Sequence, residues 1–311
     1  MTEPFFGRTI VASVTPFDEN LDLDLTRAQE LAERFVEAGV DSIAVCPTTG
    51  ECPTVFYDDK IRLFEAVLEA VNGRCKTIAY VGDNCTQDTV DFAKKVEPMG
   101  FDGYLCVVPY YNKPPQEGLY RHYSAIANAV DVPIMLYNIP GRSVINMTAE
   151  TTLRLANDHE NIIAIKEASG KMDQIAAIAE GAPAGFSVYS GDDADTLEIM
   201  GLGGVGVVST IANVAPKRMK EIVELEAAGR HDEALAAHAA LLPLMNELFV
   251  TSNPIMVKEA LKLVGFPVGG LRLPLIEATP EQSARLAELV RACAPAEWPP
   301  RNEEYLYMIT G

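Results

Sequence analysis

Metal-binding spacing is missing from this chain of 311 residues: its six cysteines (Cys46, Cys52, Cys75, Cys85, Cys106, Cys293) include no CxxC pair. Three sit in or beside apolar runs, as small buried hydrophobes do, so free thiols and no metal are expected. Basic residues are scarce. Lys and Arg total 25 against 44 Asp and Glu, a formal net charge of -19, which argues against nucleic acid or an anionic membrane as partner. An anionic substrate would then need a local cationic or N–H-lined pocket working against the global field. No stretch approaches the roughly 18 apolar residues of a membrane span. The opening MTEPFFGRTIVASVTP lacks a basic segment followed by a long apolar one, so a soluble, cytoplasmic protein is expected. Low-complexity tracts are absent too. The single tryptophan, Trp298, falls in the Pro-rich closing segment PAEWPPRNEEYLYMITG.

What is present is a repeated alternation. Eight short apolar runs recur: TIVASV from Thr9, DSIAVC from Asp41, TIAYV from Thr77, YLCVV from Tyr104, IMLY from Ile134, IIAI from Ile162, FSVYS from Phe186 and VGVVS from Val205. Helix-like stretches such as LTRAQELAERFVEAG and DDKIRLFEAVLEAV lie between them, with apolar residues at three- and four-residue spacing. Continuous apolar strands separated by helices imply a parallel sheet covered on both faces. Eight such units predict a closed (β/α)8 barrel over residues 1–229, and 48% hydrophobic content is ample for its core. After Gly229 the strand signal stops. HDEALAAHAALLPLMNELFV carries Leu241, Leu242, Met245, Leu248 and Phe249 at helical spacing, and PIMVKEALKLVG and PEQSARLAELVRACA read as two more helices, so residues 230–311 are assigned to a C-terminal helical appendage and tail.

In such a barrel the active site lies at the C-terminal ends of the strands. The residues there include Thr48-Thr49-Gly50-Glu51, Tyr110-Tyr111, Tyr137-Asn138, Lys166-Glu167 and Gly191-Asp192-Asp193. Lys166 stands out. It closes the buried run IIAI, where an ammonium group is costly unless it is paired or neutral. Desolvation lowers an ammonium pKa, and a neutral lysine can form a Schiff base with a ketone. The structural alternative is a pair with the adjacent Glu167. One lysine, three tyrosines and two threonine hydroxyls on one rim make a plausible set for imine formation with a proton relay.

The motifs TTGECPT, PYYNKPPQEGLYRHY, YNIPGRS, IKEASG, SGDD, GGVGVVSTIANV and NPIMVK jointly resemble the dihydrodipicolinate synthase family, among the pyruvate-dependent, N-acetylneuraminate lyase-like class I aldolases. The resemblance covers nearly the whole chain and needs no cofactor. It implies that Lys166 condenses with pyruvate and that Tyr137 shuttles protons beside the imine. Thr48 would link Tyr137 to Tyr111, which family members insert into a neighbouring subunit's site. It thus implies a homo-oligomer, a tetramer built as a dimer of tight dimers. Thr48 and Thr49 would hold the pyruvate carboxylate, and backbone carbonyls at Gly191 and Val208 would line the pocket. Arg142 matches the residue that grips the carboxylate of L-aspartate 4-semialdehyde, for which a guanidinium is well shaped. Sugar-acid aldolases of the superfamily do not usually carry it. A sugar-acid aldolase is therefore the nearest rival reading, and a non-catalytic binding or regulatory homologue is the rival of a different class.

Feedback-regulated relatives bind lysine in an allosteric pocket whose matching positions are Cys52, Pro53, Tyr57, Lys60, Asn84, Asp88 and Tyr110. Lys60 replaces a histidine found in many sensitive enzymes, which predicts weak or absent inhibition by lysine. Pro47 stands where a glycine usually precedes TTGE, and Ser143-Val144 stand where Thr-Gly is common. GLGGVG at Gly201 to Gly206 fits a dinucleotide-binding pattern but leads into a strand, so the required context is absent. His231 and His238 share a helix face without a third ligand. The glycosylation sequons at Asn84 and Asn146 are disregarded for a cytoplasmic chain.

Overall fold

The computed structural model describes residues 3–293; the tail with Trp298 lies outside them. Eight strands, β1 (Thr9–Ala12), β2 (Ser42–Val45), β3 (Lys76–Tyr80), β4 (Gly103–Val107), β5 (Ile134–Asn138), β6 (Ile162–Glu167), β7 (Ser187–Ser190) and β8 (Gly206–Ser209), each fall on or within two residues of a predicted run. They pair in parallel in chain order, and β8 returns to β1 through Ile10 opposite Val208, closing the barrel. The runs read as unbroken apolar segments because β1, β2, β4 and β5 are buried along their whole length, with side chains inside the barrel and under the helices. Asp41, expected to open β2, instead turns its carboxylate to the start of β1. It accepts the N–H groups of Arg8 and Thr9 at 2.9 Å and pairs with Lys220 at 2.7 Å.

The helices follow from local signals. They are α1 (Leu25–Ala38), α2 (Tyr57–Val71), α3 (Thr86–Val96), α4 (Gln116–Ala127), α5 (Pro140–Ser143), α6 (Ala149–Asp158), α7 (Met172–Gly181), α8 (Thr196–Gly201), α9 (Pro216–Ala227), α10 (His231–Glu247), α11 (Ile255–Leu263) and α12 (Pro280–Cys293). In α1 the Asp24 carboxylate caps the N-terminus by accepting from Arg27 N, Gly39 ends the helix at φ 78°, and Ala28, Leu31, Ala32 and Phe35 form the buried stripe.

Helix α10 runs through Pro243, and its buried stripe is Leu241, Leu244, Met245 and Leu248. Leu242 is only half-buried and Phe249 is exposed, because positions i, i+3, i+4 and i+7 face the core and Leu242 and Phe249 fall beside them. His231 and His238 do not share a setting: His231 opens α10 in solvent against Glu226, whereas His238 is buried. Leu241, Leu244, Met256, Leu261 and Leu286 of the C-terminal helices belong to the same apolar core as the strands. No described helix is long and apolar enough to cross a membrane.

Candidate active site

The rim is organised by the register of β5 against β6. Tyr137 lies opposite Lys166, and Asn138 lies opposite Glu167. Successive strand residues point to opposite faces, so these two pairs occupy opposite sides of the barrel wall. On one side the Lys166 ammonium nitrogen stands 4.4 Å from the centre of the Tyr137 ring. On the other, Asn138 Nδ2 donates to both Glu167 oxygens at 3.1 Å, while Ser169 N and Gln174 Nε2 also donate to Glu167. Glu167 therefore has its own partners, and the alternative of a Lys166–Glu167 pair does not hold.

Lys166 is 4% exposed, and burial lowers its pKa from 10.5 to about 8, against the opposing pull of Asp193 and Asp192. Burial acts oppositely on Tyr137, raising the phenol to about 12 although a hydrogen bond with Thr48 favours the phenolate. A lysine whose pKa is lowered by burial, beside a tyrosine that retains its proton, suits carbonyl addition followed by proton transfer. Asp193 is buried with one oxygen accepting Thr210 N and Ile211 N, at 3.0 and 2.7 Å. Burial raises that carboxyl to about 6.

Thr48 and Thr49 sit in a single 3-10 turn, Thr48–Gly50, which follows Cys46 at φ 56° and Pro47 at φ -73° and ends at Glu51 at φ 56°. The Thr49 hydroxyl accepts from Asn253 Nδ2 at 2.9 Å, and Arg142 Nη2 donates to Asn253 O at 3.3 Å. Arg142 lies on α5, a four-residue helix whose single turn is too short to show periodicity in the sequence. Pro140 starts it, and Val144 ends it at φ 69°. A glycine adopts that conformation freely and a β-branched residue does not, so the Ser143-Val144 departure is strained here.

Gly191 donates its N–H to Glu167 O at 2.8 Å, and a Cβ there would stand 2.6 Å from Ala168 Cβ, so the backbones meet only because the residue is glycine. Val208 is buried in β8.

A cavity of about 380 Å³ opens beside this set. Thr48 and Arg142 line it, and so do Cys52, Pro53, Tyr57, Lys60 and Tyr110, so two residue groups read separately in the sequence share one space. Asn84 and Asp88 are not on its wall. Asn84 instead braces the neighbouring loop, donating to Tyr110 O at 3.2 Å and accepting from Asn112 Nδ2 at 2.7 Å through its carbonyl. Tyr111, on that loop, has φ 71° and is 89% exposed. Lys60 is 6% exposed, with its ammonium nitrogen 5.3, 5.9 and 5.7 Å from the rings of Tyr57, Tyr80 and Phe92. It does not point into solvent.

A closed (β/α)8 barrel with a buried lysine of lowered pKa at the C-terminal end of a strand fits a lyase that works through a Schiff base. Residues 5–293 match the model of the dihydrodipicolinate synthetase family. The chain is 50% identical over 280 residues to 4-hydroxy-tetrahydrodipicolinate synthase 1 of Halalkalibacterium halodurans, covering 90% of this chain and 95% of that one. It is 47% identical to the synthase of Symbiobacterium thermophilum, over 92% and 98% of the two chains. Among solved structures it is similar to the Cyanidioschyzon merolae enzyme with lysine bound, at a TM-score of 0.92 and 45% identity over 94% and 99% of the chains. The Thermotoga maritima enzyme gives a TM-score of 0.90 and 41% identity over 92% and 98%. The chain belongs to the dihydrodipicolinate synthetase family.

Proposed function

We propose that Lys166 carries pyruvate as an imine and that Arg142 receives the carboxylate of the second substrate. The reaction is the condensation of pyruvate with L-aspartate 4-semialdehyde to 4-hydroxy-tetrahydrodipicolinate, in lysine and diaminopimelate biosynthesis. The observation that carries the residue roles is Lys166 buried over the Tyr137 ring, with Thr48 hydrogen-bonded to the same phenol. Neutral Lys166 adds to the keto carbon, water leaves, and loss of a methyl proton gives the enamine that attacks the aldehyde; the semialdehyde's own amine then displaces Lys166 from the imine carbon as the ring closes. Tyr137 moves the protons, Thr48 and Thr49 hold the pyruvate carboxylate, and Gly191 and Val208 shape the pocket with backbone groups.

Arg142 tests the choice of electrophile. Its guanidinium is exposed at the cavity mouth and only lightly held by Asn253, so it is free to meet an incoming carboxylate. Arg142→Ala should raise the Michaelis constant for the semialdehyde by roughly 10- to 150-fold, since a charge-assisted contact contributes about 1.5–3 kcal/mol, and should change that for pyruvate much less. Equal effects on both substrates would remove Arg142 from this role. Wild-type protein that ignores the semialdehyde and cleaves a sugar acid would favour the aldolase reading.

Feedback by lysine is expected to be weak. A relative binds lysine, but here Lys60 places a buried cation in the cavity with Cys52, Tyr57 and Tyr110. Two like charges about 5 Å apart cost on the order of 3 kcal/mol at an effective dielectric near 20, before screening. A lysine titration of steady-state activity should show little inhibition below the millimolar range, and Lys60→His should introduce sensitivity. Strong submillimolar inhibition of the unmodified enzyme would show that Lys60 does not block the pocket.

A further inference from the structure

The turn that carries Thr48 and Thr49 is gripped from outside the barrel. Glu51 closes it in the left-handed region, an unfavourable conformation for a residue with a Cβ. Its side chain is 1% exposed and lies 2.6 Å from the ammonium nitrogen of Lys258 on α11, whose side chain is 3% exposed. The other carboxylate oxygen accepts Arg272 N at 3.0 Å. Lys258 also donates to Gly270 O at 2.8 Å, and Arg272 Nη1 donates to Thr54 O at 2.7 Å, just past the turn. Phe17 packs under both cations, 4.2 Å from Lys258 and 4.5 Å from Arg272. Thus a segment from the C-terminal helices and the loop after them holds Glu51, while Asn253, just before α11, holds the Thr49 hydroxyl.

A buried ion pair is a weak source of net stability, since desolvation offsets the attraction and an apolar pair of the same volume often does as well. What it does supply is a fixed relative position for the two elements that carry it. We propose that Glu51 and Lys258 are positioning residues for the reaction: their ion pair fixes the Thr48–Thr49 turn, and with it the hydroxyls that meet the keto acid and Tyr137. The inference rests on the roles given above to Lys166, Thr48 and Thr49. It also gives the C-terminal helices a part in catalysis, since α11 then sets the geometry of a loop on the barrel's rim.

The test uses three variants of the full chain. Glu51→Gln/Lys258→Met removes both charges at near-constant volume, and Glu51→Gln alone keeps the side-chain shape and an acceptor for Arg272 N. The measurements are the thermal midpoint, kcat, the Michaelis constant for each substrate, and the site of borohydride trapping with pyruvate. The double variant should fold and still trap pyruvate on Lys166 at saturation, with the Michaelis constant for pyruvate raised about tenfold or more and that for the semialdehyde changed less than threefold. Lys258→Arg, which keeps the charge, should recover most of the loss. If the double variant does not fold, Glu51→Gln alone must show the same split. Wild-type pyruvate kinetics in a folded variant would overturn the proposal, and so would a fall in both substrates' parameters that merely tracks the unfolded fraction. Trapping of the unmodified enzyme at a residue other than Lys166 would instead overturn the reaction's residue assignment, so the two failures are distinguishable.

Discussion

Borohydride reduction in the presence of pyruvate is expected to add one pyruvyl unit per chain, on Lys166, and Lys166→Ala should lose kcat by a factor on the order of 10^4 or more, the scale seen when a covalent nucleophile is removed. Burial alone does not select this residue. Lys258 is equally secluded, and its pKa is also lowered, by burial first, to about 8. Its nitrogen, however, is occupied by Glu51 at 2.6 Å and Gly270 O at 2.8 Å, whereas Lys166 faces the Tyr137 ring at the end of β6. Only a lysine without such ties can approach a carbonyl carbon.

The pH dependence supplies a second reading of the same residue. With Lys166 near 8, imine formation should rise as pH increases toward 8 and flatten above it, and it should be lost as the lysine protonates below. A lysine at its ordinary value near 10.4 would keep gaining rate well past pH 9. An adduct on Lys258, or a rate that climbs without a plateau to pH 10, would sink the assignment.

Why Lys166 was legible and its surroundings were not is a matter of range. A lysine ending a run of Ile and Ala conflicts with its neighbours locally, and the barrel follows from eight such runs because each strand is buried on both faces. The Asn138–Glu167 bonds were hidden. They need the β5–β6 register, which shifts at Ile134–Met135 and so cannot be counted from either strand. Glu51 and Lys258 carry no mutual signal either, since one belongs to a TTGE turn and the other to an amphipathic helix far along the chain. The shared cavity of Thr48, Arg142, Lys60 and Tyr110 is likewise a product of the strand order, which places the ends of β2, β3, β4 and β5 side by side. Tyr111 is the clearest limit. Its motif marked it as catalytic, yet in a single chain it reaches nothing of the site.

That exposure motivates the last expected result. Tyr111→Phe and Lys166→Ala, each nearly inactive alone, should recover activity when mixed under conditions that exchange subunits. A large aromatic 89% exposed, held at φ 71° on a loop braced by Asn84 and Asn112, is poorly placed for a monomer and well placed to enter a neighbour. We propose that it completes the site of a second copy, approaching the Thr48 and Tyr137 hydroxyls there. In a twofold pair each chain both gives and receives this tyrosine. A hybrid then contains one ruined site, lacking both residues, and one intact site that takes Lys166 from the Tyr111→Phe chain and Tyr111 from the Lys166→Ala chain. Random exchange of equal amounts makes half the pairs hybrid, so activity should return to about a quarter of the wild-type value. Recovery near zero, with exchange demonstrated by mass-labelled subunits, would place Tyr111 outside the partner's site.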